Sequence, residues 1–372
     1  LNILFKKTTA KMNVYFYCYP HGPADRAGYE HEIVALAEGL IELGHTPKGN
    51  VNYWLKSTKQ DDYLIKQYEP KDLNEFDVIV FSSVIYDYQR QDILPKNIFD
   101  ANRKYKLVFI DAADGLITPG YSEELRQVDF VLKSHYCNKY KYPKNFVPWQ
   151  IGLTNRIIDY ATRNSIHFDE RNGMILSNFR VGHTLRQLVE DISQQLYYPI
   201  YSKNMETDRF EENSMEEIDK IFWTQTGKRH YPSYYKRLNS NIISNAVGGQ
   251  VQKWTTEKTT LPARIARKID ALIPFLKYDR IYQFDSWRFW ESLVSGCATM
   301  HVDFEKYGIM LQEMPINGVH YIGIDLDNPE RILKCLKDKN QLRKIAENGK
   351  NWALQYYSPK AVANRFLNLL KS

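Results

Sequence analysis

Gln283-Phe284-Asp285-Ser286-Trp287-Arg288-Phe289-Trp290-Glu291-Ser292-Leu293-Val294-Ser295-Gly296-Cys297-Ala298 is the stretch from which the fold of this 372-residue chain can be read. It is a polar loop running into a helix near Ser286 to Ser295, then a glycine where that helix stops, then a buried strand near Ala298 to Val302. The start of such a helix exposes N–H groups that favour an anion, and Glu291 stands close to it.

Outward from this stretch the alternation repeats. Towards the C terminus come a strand near His320 to Ile324 and, from about Asn328, three helices, the last beginning near Pro359, where proline suits a first turn. Towards the N terminus, Met174 to Leu176, a helix from about Thr184 to Leu196 and a strand near Asn241 to Val247 belong to the same unit. Earlier still, Val14 to Cys18, Val78 to Ser82, Leu107 to Ile110 and Phe130 to Leu132 are apolar runs of buried-strand length. Ile33, Val34, Leu36, Ala37, Leu40 and Ile41 recur at helical spacing before Gly44. Buried runs separated by helices predict parallel sheets covered on both faces. The Pro- and Gly-containing stretch Phe146 to Gly152 marks the crossing between two such halves. The expected division is 1–152, 153–355 and a C-terminal helix in 356–372 that packs back on the first half.

The length suits two domains, and 43% hydrophobic with 25% charged residues is a globular composition. No segment reaches the roughly 18 to 20 apolar residues of a membrane span, and Leu1 to Lys11 lacks the apolar core of a signal peptide, so a cytoplasmic protein is expected. The net charge of +6 fits an anionic ligand or membrane surface only weakly. Cys18, Cys137, Cys297 and Cys335 are too scattered for a zinc knuckle or a disulfide framework. There is no P-loop, no G-x-G-x-x-G after a strand, no H-E-x-x-H and no G-x-S-x-G, which removes the usual support for kinase, dehydrogenase, zinc-protease and α/β-hydrolase chemistry.

The 283–298 stretch resembles the donor-site signature of GT-B nucleotide-sugar glycosyltransferases, R-x-x-E-A-x-x-x-G-x before a buried strand, with Arg288, Glu291, Ser292 and Gly296 at the matching positions. The chain is most similar to the group-1-like transferases that include the CgeB-like proteins. The resemblance implies an α/β fold of two Rossmann-like domains facing a central cleft. It implies transfer of a sugar from a nucleoside-diphosphate sugar to a hydroxyl acceptor in bacterial glycan or cell-envelope assembly, with no bound cofactor and no essential metal. It also implies Glu291 on the ribose hydroxyls, Ser286 on a phosphate and Arg288 in the donor site.

Ser177-Asn178-Phe179-Arg180-Val181-Gly182-His183-Thr184-Leu185-Arg186 resembles the loop where two cations meet the donor diphosphate, which implies that role for Arg180 and Arg186. Retaining members carry a glutamate eight positions before the ribose glutamate, and here that position is Gln283. An amide bonds sugar hydroxyls but holds no negative charge, so the stereochemical outcome stays open. The stretch His21 to His31, with the helix ending Gly44-His45, resembles the family's opening.

Three residues are candidate bases for the acceptor hydroxyl: His21 and Asp25 in that opening loop, and Asp114 after the strand Leu107 to Ile110. His135 is a candidate to line the cleft, and Asp325-Leu326-Asp327 reads as capping residues rather than a metal site. A glycan, lipid-linked or protein acceptor is expected, and no nucleic acid. The segment 261–280, with Leu261, Ile265, Ile269, Leu272 and Leu276 beside Arg264, Arg267 and Lys268, predicts peripheral contact with the inner face of a membrane. Two rival readings remain: an epimerase or glycerol-phosphate-type transferase of the same fold, and a degenerate transferase that binds a glycan or partner without turnover.

Overall fold

The computed structural model describes residues 11–20, 29–87, 89–115, 124–163, 165–179, 182–206, 215–229, 232–252 and 280–371. The candidate bases His21 and Asp25, the cation Arg180 and nearly all of the 261–280 segment lie outside them.

The first sheet contains β1 (Val14–Tyr17), β2 (Lys48–Gly49), β3 (Tyr53–Leu55), β4 (Tyr63–Gln67), β5 (Val78–Ser82), β6 (Lys106–Asp111), β7 (Phe130–Lys133) and β8 (Phe146–Pro148), in the order β3-β4-β2-β1-β5-β6-β7-β8. All its pairings are parallel except β3 with β4. β1 and β5 are buried at every position, which is why they read as continuous apolar runs instead of alternating ones. Helix α1 (His31–Glu42) packs its apolar side on this sheet, and Gly44, at φ +87°, turns the chain out of it.

The second sheet is built from β9 (Asn172–Leu176), β10 (Ser202–Lys203) and β11 (Asn241–Asn245). After the antiparallel pair β12 (Gln250–Gln252) and β13 (Arg280–Gln283) it continues with β14 (Ala298–Val302) and β15 (Ile322–Ile324). Its order is β10-β9-β11-β14-β15, all parallel. The helices that matter here are α2 (Asn155–Arg163), α3 (Thr184–Ile192), α4 (Glu217–Gln225), α5 (Pro232–Ser240), α6 (Trp287–Val294), α7 (Lys339–Tyr357) and α8 (Pro359–Leu369). Gly296, at φ +71°, ends the turn after α6 and sends the chain into β14.

The core follows the sheets. One cluster of buried side chains fills the second unit, and two cover opposite faces of the first. The cluster that includes α1 also takes Val362, Ala363, Phe366 and Leu367 from α8, so the last helix completes the first unit. The approach is close: a Cβ on Gly39 would lie 1.9 Å from the carbonyl oxygen of Pro359.

Two expectations need correction. Phe146–Pro148 is an edge strand paired with β7, and the crossing proper begins at Trp149, with Pro148 tolerated because nothing pairs beyond the edge. The helix from Thr184 is α-helical only to Ile192 and widens to a π turn over Ser193–Tyr197, where the Ser193 hydroxyl donates to the Val189 carbonyl at 2.6 Å.

Candidate active site

The loops that leave the carboxyl ends of β6, β7, β9 and β11 converge on the β13–α6 loop, Gln283 to Ser286. β6 ends in Asp111, wholly buried, whose Oδ2 accepts from Lys133 Nζ at the end of β7 at 2.7 Å. Its Oδ1 accepts from the Ala113 backbone at 3.2 Å and folds the loop over. Asp114 then projects with a side chain 77% exposed, although groups from both units stand around it. His135, two residues past β7, presents Nε2 3.7 Å from Asp114 Oδ1. Gln283 and His183 also stand near enough to favour the charged form of Asp114. His135, first among these, holds the Asp114 carboxyl below the usual range.

His135 is buried and joins the two units. Its Nδ1 faces the backbone N–H groups of Asp285 and Phe284 at 3.3 and 3.4 Å, and its ring meets Phe284 edge-on with centroids 5.2 Å apart. Asp285 accepts from Ile151 N at 2.6 Å and from Trp290 Nε1 at 2.7 Å, while burial pushes its carboxyl up to about 6. Glu32, in the first turn of α1, adds a further buried carboxyl group beside Asp285 and Asp111.

Of the other sequence-derived candidates, Ser286 is the N-cap of α6, yet its hydroxyl makes no cap bond and is buried without a partner. Arg288 donates from Nε to the Asn178 carbonyl at 2.5 Å, tying α6 to the loop after β9. Arg186 is buried on α3, donates from Nε to the Gly248 carbonyl at 3.1 Å and lies over the Phe179 ring.

Glu291 is placed differently from the others. It is 1% exposed, and its Oε1 accepts from the Tyr235 hydroxyl of α5 at 2.9 Å, with the buried Arg156 guanidinium of α2 nearby. Asp114, His135, His183, Gln283 and Ser286 thus gather at the seam, Arg288 and Arg186 brace the adjoining loops, and Glu291 is sealed behind α6.

Asp325 and Asp327 are not simple caps. Lys306 Nζ pairs with both, Arg331 pairs with Asp325 at 3.1 Å, and the N-cap of the following turn is Asn328. Among the described residues no group of three or more His, Cys, Asp or Glu side chains could hold a metal ion.

Sequence reading took Tyr235 as one of an aromatic pair and passed over Arg156, and connected neither with Glu291, which they reach from α5 and α2. It also overlooked Asn245, at the carboxyl end of β11, whose amide is buried with both polar atoms unpartnered. An asparagine closing the buried run Asn241-Ile242-Ile243-Ser244-Asn245 was the available signal for the last of these.

No family model matches the sequence, and no curated protein matches it. Solved structures do. A glycosyltransferase from Rickettsia africae ESF-5 superposes with a TM-score of 0.51 at 12% identity, over 98% of this chain and 98% of that one. An alpha-glucosyltransferase in complex with UDP and a 13-mer DNA gives 0.52 at 11% identity, over 98% of this chain and 100% of that one. The chain has the GT-B fold.

In GT-B terms, the seam between the two sheets, with strand ends from both units around Asp114, is the cleft between the halves. At these identities the likeness is one of fold. Within this GT-B chain, no helix among the described residues is long and apolar enough to cross a membrane.

Proposed function

We propose that this GT-B protein is a glycosyltransferase that moves a sugar from a nucleoside-diphosphate sugar to a hydroxyl of a glycan, lipid-linked or protein acceptor, of the group-1-like kind that builds bacterial glycans. The observation that carries the reading is Asp114: an exposed carboxylate at the seam, with His135 of its own half 3.7 Å away and Gln283 of the other half near it.

The free Ser286 hydroxyl and the N–H groups opening α6 suit a donor phosphate, and Arg186 with Arg180 supplies positive charge for the departing diphosphate. Asp114, ionised at neutral pH, takes the acceptor proton, a role His21 and Asp25 share as candidates. Glu291 binds the ribose once Tyr235 releases it. The domain division proposed is 1–152 and 153–355, with 356–372 returning to the first unit.

A second reading, nucleotide or glycan binding without turnover, is favoured by one observation: the Glu291 carboxylate is already taken by Tyr235 and closed off from solvent. A thermal-shift screen against UDP, GDP, CDP, ADP and dTDP tests both. UDP comes first because the alpha-glucosyltransferase of similar fold was solved with it. The expected result is selective stabilisation by one diphosphate, about 2.7 kcal/mol at a hundredfold excess over Kd, reduced in Ser286→Ala. Stabilisation with no release of diphosphate from any matching nucleotide sugar selects the second reading, and no shift at millimolar nucleotide sinks both.

A further inference from the structure

We propose that Asp285 is a positioning residue that fastens the 283–286 loop to the crossing between the units, so that the start of α6 is set in place for a donor phosphate by the seam and not by the second unit alone. This rests on the reading of that loop as the donor side of the cleft, and the closing experiment separates the two.

The loop is held from two sides. Within its own unit, Gln283 O accepts from Gly249 N at 2.9 Å, and Phe284 O lies 3.0 Å from His301 Nε2 of β14. That end cannot slide towards the chain beneath it, since a Cβ on Gly248 would already fall 2.0 Å from Gln283 O and 2.6 Å from Phe284 Cα. The other end is held by the first unit. Asp285 Oδ2 accepts from Ile151 N at 2.6 Å, and the Asp285 and Phe284 backbone nitrogens stand 3.3 and 3.4 Å from His135 Nδ1.

An aspartate suits this joint because its two oxygens face two N–H groups. One is Ile151 N on the crossing, and the other is Trp290 Nε1, in the first turn of α6, at 2.7 Å. An ionised carboxylate accepts from both, whereas an amide would set its own NH2 against one of them. Asp285 is only 6% exposed, so losing the carboxylate leaves buried donors unpaired.

The crossing is part of the first unit's frame. Trp149 N donates to Lys133 O at 2.8 Å, and His31 Nε2 of α1 lies 3.1 Å from Gly152 O. Lys133 is the residue whose ammonium pairs with Asp111, at the foot of the loop that carries Asp114. Through the Ile151 and Trp149 hydrogen bonds, Asp285 thus connects the helix start that takes the donor phosphate with the strand ends that carry the candidate base. A shift of the seam that breaks the Ile151 bond withdraws support from the Ser286 side of the loop.

The test is hydrogen exchange of the full chain, read at the Ile151 amide and over 283–290, with and without the diphosphates of the thermal-shift screen, UDP first. In the wild type the nucleotide is expected to slow exchange over 283–290 and at Ile151 together, because coupling between two sites is reciprocal. In Asp285→Ala, exchange at Ile151 without nucleotide should rise about tenfold or more, and the nucleotide Kd about tenfold, as for one lost charge-assisted hydrogen bond. Protection by the nucleotide should then be confined to 283–290. With the matching nucleotide sugar, the loss should appear in KM, whereas a misfolded fraction would lower kcat alone.

An Ile151 amide that exchanges in Asp285→Ala as it does in the wild type overturns the proposal. If that variant does not fold, the wild type decides: nucleotide protection of 283–290 that stops short of Ile151 is equally fatal. Should no diphosphate protect 283–290, the reading of the loop as a donor site falls, while faster exchange at Ile151 in Asp285→Ala leaves the joint itself standing.

Discussion

Glu32, Asp285 and Asp111 bring three carboxyl groups to the seam, and Asp111 is paired with Lys133. Burial pushes Glu32 from 4.5 up to about 8, with Asp285 and Asp111 adding to the effect. The folded protein therefore holds a proton on Glu32 across pH 4.5 to 8 that the unfolded chain has released. Its contribution is complete below 4.5 and is lost as the pH climbs towards 8, at about 1.4 kcal/mol per pH unit for a single proton. Glu32→Gln should flatten the fall of Tm over that window, measured by thermal melts at pH 5 to 9. An undiminished slope would place the linked proton elsewhere, on Glu30 or Glu38, which burial raises in the same way.

At this scale the sequence was legible where the site is contiguous. Gln283, Ser286, Arg288 and Glu291 could be named together because one loop and one helix carry them all. Tyr235 and Arg156 could not, because they meet Glu291 from other helices, and no local pattern records a contact made only by tertiary packing. The same holds for the approach of His135 to the Phe284 and Asp285 backbone, which joins the two halves of the chain.

Among the elements, Gly39 is where α1 and α8 touch. The methyl group of Gly39→Ala would meet the Pro359 carbonyl, a backbone group that cannot swing aside. Overpacking of this kind costs about 1–3 kcal/mol, and the expected result is a correspondingly lower midpoint in urea unfolding. A wild-type midpoint would mean that α8 is free to slide along α1.

Buried elements were legible because both their faces demand apolar residues: Val78–Ser82 and Ala298–Val302 read from the sequence with their observed bounds. The short strands β2, β3 and β4 were not, since they run for two to five residues with polar positions among them. β3 is held partly from outside its sheet. Gln225 of α4 accepts from Leu55 N at 2.6 Å and donates to Leu55 O at 3.0 Å, imitating the strand that would otherwise pair there.

Across the whole molecule the two units are stitched at several points. Asn138 N donates to Gly308 O at 2.8 Å and Met310 N to Tyr136 O at 3.0 Å, while Ile151 N donates to Asp285 Oδ2 at 2.6 Å. With α8 belonging to the first core and α7 to the second, neither unit has a complete surface without the other. Differential scanning calorimetry should accordingly give one cooperative transition, with calorimetric and van't Hoff enthalpies in agreement. Two resolved peaks would show that the seam contributes little.

The return of α8 also bears on how the protein is made. A ribosome delivers the first unit's strands early, yet the helix that covers α1 leaves the exit tunnel only after the entire second unit has been synthesised. Until then the groove around Gly39 and Ala37 is an unfilled apolar surface on a nascent chain, of the kind that chaperones hold. Final closure of the first unit must therefore wait until the second unit has been made, and chains cut before α8 should be cleared by proteases even when every strand of that unit is present.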